Sequence, residues 1–342
     1  MEMHVTLHDV AKLAGVSTKT VSRVVNNQGE LSVATRERVQ AAIEQLGYRP
    51  NILARSLVNR RTNTLAVVAW GIDYYGPSQT VVGIENRSDD LGYSLLLNLR
   101  TRPDETKMDH VLDTLVDRRV DGIIWAVPEV GDNRAWISPD RLQQLPPIVF
   151  LSARPRDGLM SVSVDNGCGA ILATQHLIEQ GRRRIAQIAG PMRWWESRER
   201  LSGWETTLRE HGLTPSPDLV VEGDWSAASG AQAMQTLLTR VPDIDAVFVA
   251  SDQMAMGALG VLHQAGRNIP GDVALVGFDN IPESAFYWPP LTTVFQQLID
   301  VGSLAVQKLH EWIESQRKEE TGFAPQATVL MPQLIVRQSS AS

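Results

Sequence analysis

A chain of 342 residues is long enough, at about 150 residues per domain, for two domains and a small appendage. Its 43% hydrophobic and 21% charged composition excludes disordered and collagenous classes, and no apolar run approaches the roughly 18 residues that span a bilayer. A net charge of −7 argues against a nucleic-acid partner until it is divided, because residues 1–61 carry nine Lys or Arg against five acids. A start of +4 on a remainder of −11 has the pattern of a polyanion-binding module joined to something with another task.

The first 46 residues read as three short helices. Thr6 caps the first, with Asp9 three residues on and Leu7, Val10, Ala11 and Ala14 at helical spacing until Gly15. Ser17 caps the second, whose Val21, Val24 and Val25 form an apolar side and leave Thr18, Lys19, Ser22 and Arg23 toward solvent. After Asn26-Asn27-Gln28-Gly29, Ser32 opens a third helix with Val39, Ala42, Ile43 and Leu46 inward and Gly47 as its stop. Two helices joined at Ala14-Gly15-Val16 make a helix-turn-helix, whose second member is shaped for a major groove. Residues 50–57 have the pattern of about two further turns, too short to be stable in water without a partner, and so form a candidate switch.

From Thr64 onward short apolar runs alternate with amphipathic stretches. Strands are expected at 65–70, 94–99, 122–126, 148–151 and 161–164, then at 185–189, 219–222, 246–250 and 273–277. Helices are expected near 81–91, 107–118, 168–180, 198–211, 229–240, 253–264 and 301–315, with strands 328–331 and 333–336 closing the body. Such alternation implies parallel sheets covered on both faces, and two sets imply two lobes with a ligand cleft where strand ends converge. The fold class is thus an all-α helix-turn-helix head on a two-lobed α/β body. The domains are 1–49, a hinge at 50–63, and 64–342.

The runs Thr6-Leu7-His8-Asp9-Val10-Ala11, Thr20-Val21-Ser22-Arg23-Val24-Val25-Asn26 and Leu46-Gly47-Tyr48-Arg49-Pro50-Asn51 closely resemble the DNA-binding head of the lactose-repressor (LacI/GalR) family of bacterial transcription regulators. Arg200-Leu201-Ser202-Gly203-Trp204, Gly223-Asp224-Trp225-Ser226-Ala227, Ser251-Asp252-Gln253-Met254-Ala255 and Val276-Gly277-Phe278-Asp279 carry the resemblance through the body. It implies a homodimer whose heads bind a pseudo-palindromic double-stranded operator while a periplasmic-binding-protein-like body senses a small molecule. Under it, Thr18, Lys19 and Arg23 read base edges. Thr6, Leu7, Ser17, Thr20, Ser22, Asn26, Ser32, Asn51 and Ala54 complete the DNA contacts, the short polar ones on phosphates, and Leu57 is a minor-groove wedge. The effector set is Trp70, Ser152, Arg200, Trp225, Ser251, Asp279 and Gln296.

Blander roles stand beside these. Asp279 could cap a turn, Trp225 could be core, and Leu57 could pack one hinge on another. The chain also departs from the family's namesake. Ser152 after Phe150-Leu151 stands for an aspartate, which leaves the cleft short of one carboxylate, while Trp70 and Trp194-Trp195 replace small residues. That pattern points to a sugar stacked on indole, including a disaccharide. The chain ends without leucine heptads, so a dimer and not a tetramer is expected.

The main expectation is a repressor released from its operator by a sugar. Its rival is a co-repressor-dependent regulator answering a purine or phosphoprotein. A transport-type sugar-binding protein is a weaker reading, because the N-terminus lacks the pattern of a secretory leader; a cytoplasmic protein with no membrane partner is expected. An enzyme is weaker still. Leu172 stands where a dinucleotide fingerprint after Gly167-Cys168-Gly169 needs glycine, and Cys168 is the single cysteine, so no metal or cofactor is expected.

Overall fold

The computed structural model describes residues 5–25, 31–48, 61–105, 108–319 and 322–341. The chain divides into two compact units, Met1–Thr62 and Asn63–Ser342.

The smaller unit contains α1 (Leu7–Ala14), α2 (Thr18–Val25) and α3 (Val33–Leu46). Thr6 and Asp9 close a capping box at the start of α1: the Asp9 carboxylate accepts the Thr6 N–H at 2.9 Å while the Thr6 hydroxyl oxygen accepts the Asp9 N–H at 3.4 Å. Gly15 and Gly47 end α1 and α3 in the left-handed region, φ 64° and 61°, where a side chain would be strained. Val10, Ala11, Ala14, Val21, Val24, Val39, Ala42 and Tyr48 fill the core. Leu7, Val25, Ile43 and Leu46, expected inside, are half-buried at its margin. The expected hinge helix at 50–57, with Asn51, Ala54 and Leu57, lies outside the described residues, as does Asn26.

The larger unit holds two six-stranded sheets. The first lobe comprises β1 (Thr64–Trp70), α4 (Tyr75–Asp90), β2 (Ser94–Arg100), α5 (Asp109–Asp117), β3 (Gly122–Ala126), α6 (Pro139–Gln143), β4 (Ile148–Leu151) and β5 (Met160–Val164). The chain then crosses into α7 (Asn166–Glu179), β6 (Ile185–Ala189), α8 (Trp195–Glu210), β7 (Val220–Glu222), α9 (Ala227–Arg240), β8 (Ala246–Val249), α10 (Asp252–Gln264), β9 (Ala274–Asp279) and β10 (Thr292–Phe295). It returns as α11 (Leu298–Arg317) and β11 (Ala327–Leu330), and crosses a last time into β12 (Gln333–Ile335).

The sheet orders are β11-β5-β4-β3-β1-β2 and β12-β10-β9-β8-β6-β7, parallel throughout except for β12 against β10. The inner strands are buried on both faces, as in Leu65–Ala69 and Ala246–Val249. Three features refine the sequence reading. The last helix and β11 belong to the first lobe, α11 packing on α4, whereas β12 joins the second, so the body is not two consecutive halves. Helix α4 starts at Tyr75, six residues before the expected 81, because Pro77 falls in the first turn, where a missing N–H breaks no bond. Strand β10 went unread because only four residues separate Leu291 from Gln296.

Candidate functional site

In the head, Thr18, Lys19 and Arg23 are exposed on α2 and Ser22 is half-buried. Lys19 and Arg23 are four residues apart and therefore share a helix face. Three of the expected phosphate contacts are helix caps: the Ser17 hydroxyl oxygen accepts the Thr20 N–H at 3.1 Å and Ser32 accepts that of Thr35 at 3.3 Å, as Thr6 does for Asp9. Thr20 is tied to Ser17 a second time, hydroxyl to hydroxyl at 2.9 Å. Leu7, the first residue of α1, is half-buried against the head core.

In the body, all seven expected effector residues line one cavity between the lobes, with a volume of about 140 Å³. That is far above the roughly 10–15 Å³ that admits one water. The first lobe supplies Trp70 at the end of β1 and Ser152 just past β4. The second supplies Arg200 on α8, Trp225 beyond β7, Ser251 beyond β8, Asp279 at the end of β9 and Gln296 beyond β10. Every one but Arg200 stands at or just past the carboxyl end of a parallel strand, where α/β sheets present ligand groups.

Arg200 is buried and held from three sides. Its Nε donates to Asn166 Oδ1 at 2.8 Å, its Nη1 donates to the Ala250 carbonyl, and its guanidinium lies 3.7 Å from the Phe278 ring centroid and 5.6 Å from that of Trp225. Burial lowers its pKa, opposed by Asp279, Glu196 and Asp252. Asp279 accepts from Gln296 Nε2 at 2.7 Å, and burial pushes its carboxyl up to about 6 against the pull of Arg200, Gln296 and the Asp252 N–H. Asp252 is fully buried beside it, accepting from Thr293 Oγ1 at 2.6 Å and the Ile281 N–H at 2.9 Å, and desolvation raises it well above the carboxylate range. Ser251 caps α10 by accepting the Met254 N–H at 3.2 Å, so part of its hydrogen-bonding capacity is already used.

Aromatic rings form an arc along the cavity. Trp70 stacks on Tyr74 at 5.6 Å and meets the Trp194 edge at 5.1 Å, and Trp194 meets Trp225 at 5.7 Å. Trp225 packs against the second lobe's core as well as facing the cavity, so its core role and its cavity role coexist. It needs Gly190, where a β-carbon would come within 2.1 Å of the indole. Of the Trp194-Trp195 pair only Trp194 lines the cavity; Trp195 is buried.

Sequence reasoning missed Asn166, Tyr74, Tyr75 and Glu196, all of which line the cavity. The signal that marks Asn166 is its place two residues past the end of β5. Glu196 corrects the expectation of a cleft short of a carboxyl: the first turn of α8 supplies one to the same cavity that Ser152 lines. Beside the cavity a clasp joins the lobes. Val130 and Trp194 form an antiparallel bridge, with Gly131 N–H donating to the Arg193 carbonyl and Trp195 N–H to that of Glu129, both at 3.0 Å. Arg193 pairs with Asp104 at 3.3 Å. Among the described residues no cluster of His, Cys, Asp or Glu could hold a metal, and no helix is long and apolar enough to cross a membrane.

Residues 6–51 match the family model for bacterial regulatory proteins of the lacI family, and residues 174–340 match that for a periplasmic binding protein-like domain. The ribose operon repressor of Escherichia coli strain K12 is 38% identical over 307 residues, 89% of this chain and 92% of its own. Among solved structures, the complex of the transcriptional regulator CelR with cellobiose is 35% identical, with a TM-score of 0.72 over 98% of this chain and 99% of that one. The lac repressor dimer bound to operator and the anti-inducer ONPF is 31% identical, with a TM-score of 0.86 over 99% and 100%. A capped helix-turn-helix head, a two-lobed body with one cleft, and similarity over nearly the whole length lead to one conclusion: the chain belongs to the lacI family of bacterial regulatory proteins.

Proposed function

We propose that the protein is an operator-binding repressor, divided at 1–49, 50–63 and 64–342, whose effector is an uncharged sugar and most simply a β-linked disaccharide. The observation that carries this reading is the cavity itself. Indoles from both lobes in the lining suit the apolar face of a pyranose, while Arg200, Asp279 and Gln296 offer directed bonds to its hydroxyls. Three indoles line the cavity, and the similarity to CelR in complex with cellobiose supports the disaccharide.

The head acts through Thr18, Lys19 and Arg23 on base edges, with Thr6, Leu7, Ser17, Thr20, Ser22, Asn26 and Ser32 near the phosphates, Asn51 and Ala54 as further DNA contacts and Leu57 as a minor-groove wedge. The acting unit is a homodimer in the cytoplasm. Phe286 and Trp288, 87% and 82% exposed, are the kind of surface a second copy would cover. The protein works by binding and not by catalysis: sugar favours the arrangement of the lobes that does not hold DNA, and only that differential affinity can shift the equilibrium.

Calorimetry on the whole chain tests the effector half of the reading. Cellobiose binds the wild type, while Trp194→Ala and Arg200→Ala each weaken it by tenfold or more, about 1.4 kcal/mol. Equal affinity in both variants would remove the cavity from the account.

A further inference from the structure

Three residues that line the cavity have a sealed polar atom without a partner, Ser163 Oγ, Trp225 Nε1 and Glu196 Oε2, and Glu196 is the one whose group is a carboxyl. It lies in the first turn of α8, and its Oε2 is sealed from solvent yet has no hydrogen-bond partner. Of the charged groups nearest to it, Arg200 is engaged by other partners, while Arg134, which does not line the cavity, leaves its Nε and Nη1 unpartnered yet forms no ion pair with Glu196. Arg134 donates through Nη2 to the carbonyls of Val127 at 2.6 Å and Leu151 at 3.4 Å and lies over the Phe150 ring at 5.1 Å; Arg200 is taken by Asn166 and Ala250. Among the described residues Glu196 makes no ion pair, and Ser152 lines the same cavity from the facing lobe. A buried carboxyl oxygen left without a bond destabilises the fold, so its retention in the wall of a cavity asks for a partner from outside the chain.

The chemistry of that partner follows from the surroundings. A sugar hydroxyl can donate to Oε2 in a charge-assisted bond without bringing charge into the cleft. A phosphate or carboxylate would meet Glu196 and Asp279 in the cleft, where Arg200 is the cation in the lining and only its Nη2 is not engaged by Asn166 or Ala250. We propose that Glu196 is a specificity-determining residue that bonds a hydroxyl of the effector and restricts the cleft to uncharged carbohydrate, excluding sugar phosphates and uronic acids. The claim rests on reading the cleft as a carbohydrate site.

Calorimetry of the full chain at pH 8 with cellobiose and with cellobiouronic acid tests it, since the two differ by one carboxylate on the same pair of rings. The wild type should prefer the neutral sugar by about tenfold or more, because the acid's carboxylate would face two carboxyls in the cleft. Glu196→Gln, which keeps the shape, should narrow that preference several-fold by gaining affinity for the acid. Ser152→Asp, which places a second carboxyl beside the first, should widen it. Equal binding of both sugars by the wild type, or a preference that moves in neither variant, overturns the assignment of Glu196 and leaves the carbohydrate reading standing. Binding of a purine or a sugar phosphate with none of cellobiose or its acid overturns both.

Discussion

Three cavity residues adopt a backbone conformation that costs free energy. Ser152, Trp225 and Asp279 have φ values of 48°, 77° and 118°, in the region where non-glycine residues are held at about 1–3 kcal/mol. Each projects its side chain into the cleft from a strand end, so the surrounding bonds serve to fix these three groups. The indole of Trp225 is the most testable. Gly190→Ala must push it from its place, and the expected outcome is a loss of sugar affinity of tenfold or more with the head's operator contacts untouched, read by calorimetry and by quenching of Trp fluorescence. Glu196 yields a pH prediction. Burial raises its carboxyl from 4.5 to about 7, so the folded state holds a proton that the unfolded state has already released over that interval. Stability from this group therefore falls as pH rises from about 4.5 to about 7, and the cost is complete above it. Glu196→Gln removes that cost: its melting temperature should exceed the wild type's at pH 8 and the gap should close by pH 4.5. A gap that is constant across pH would place the carboxyl in water.

At the scale of elements, caps and strand ends explain why so much could be read beforehand. Thr6 with Asp9, Ser17 and Ser32 before helical runs, and Gly15 and Gly47 after them, are local signals, and the structure uses each as a cap or stop. Thr6→Ala should destabilise the head by about 1 kcal/mol, visible as a lower first transition in thermal unfolding. An unchanged transition would mean that Asp9 alone holds the end of α1. Parallel strands were legible because burial on both faces makes apolar runs such as Leu65–Ala69. The missed pieces have non-local causes. Nothing in 301–315 tells which lobe α11 covers. That is decided by close backbone approach, with Gly83 meeting Ile299 and Gly302 meeting Thr80, where a β-carbon would lie 2.1 Å from a carbonyl oxygen in each case. Gly302→Ala should thus separate α4 from α11 and lower the body's melting temperature, whereas Gly260→Ala, with open space around it, should not.

For the candidate site, the resemblance to the family was enough to name seven residues, but not their partners. Arg200 was visible as a cleft residue through its motif. That Asn166, 34 residues earlier, fixes its Nε is a fact of three-dimensional neighbourhood. Glu196 was passed over for the same reason: an acid at the start of a helix is an ordinary surface feature until the other lobe closes over it.

At the scale of the whole molecule, charge and fold describe one division of labour. The +4 start contains the face that carries Lys19 and Arg23, and the −11 remainder contains a body whose cleft is lined by carboxyls. A dimer doubles the positive head on one operator while the acidic bodies discourage indiscriminate binding to the duplex. The clasp at Val130 and Trp194 places an indole of the cavity wall in the bridge between lobes, so a sugar against that indole acts on the lobe contact directly. The most direct test of the account is fluorescence anisotropy of the whole protein on a labelled pseudo-palindromic operator, selected from a random duplex library, titrated with cellobiose at fixed salt. The account predicts that saturating sugar weakens operator binding by tenfold or more and that Trp194→Ala blunts the effect. Operator affinity that stays unchanged with every neutral disaccharide, or that rises with sugar, would contradict it.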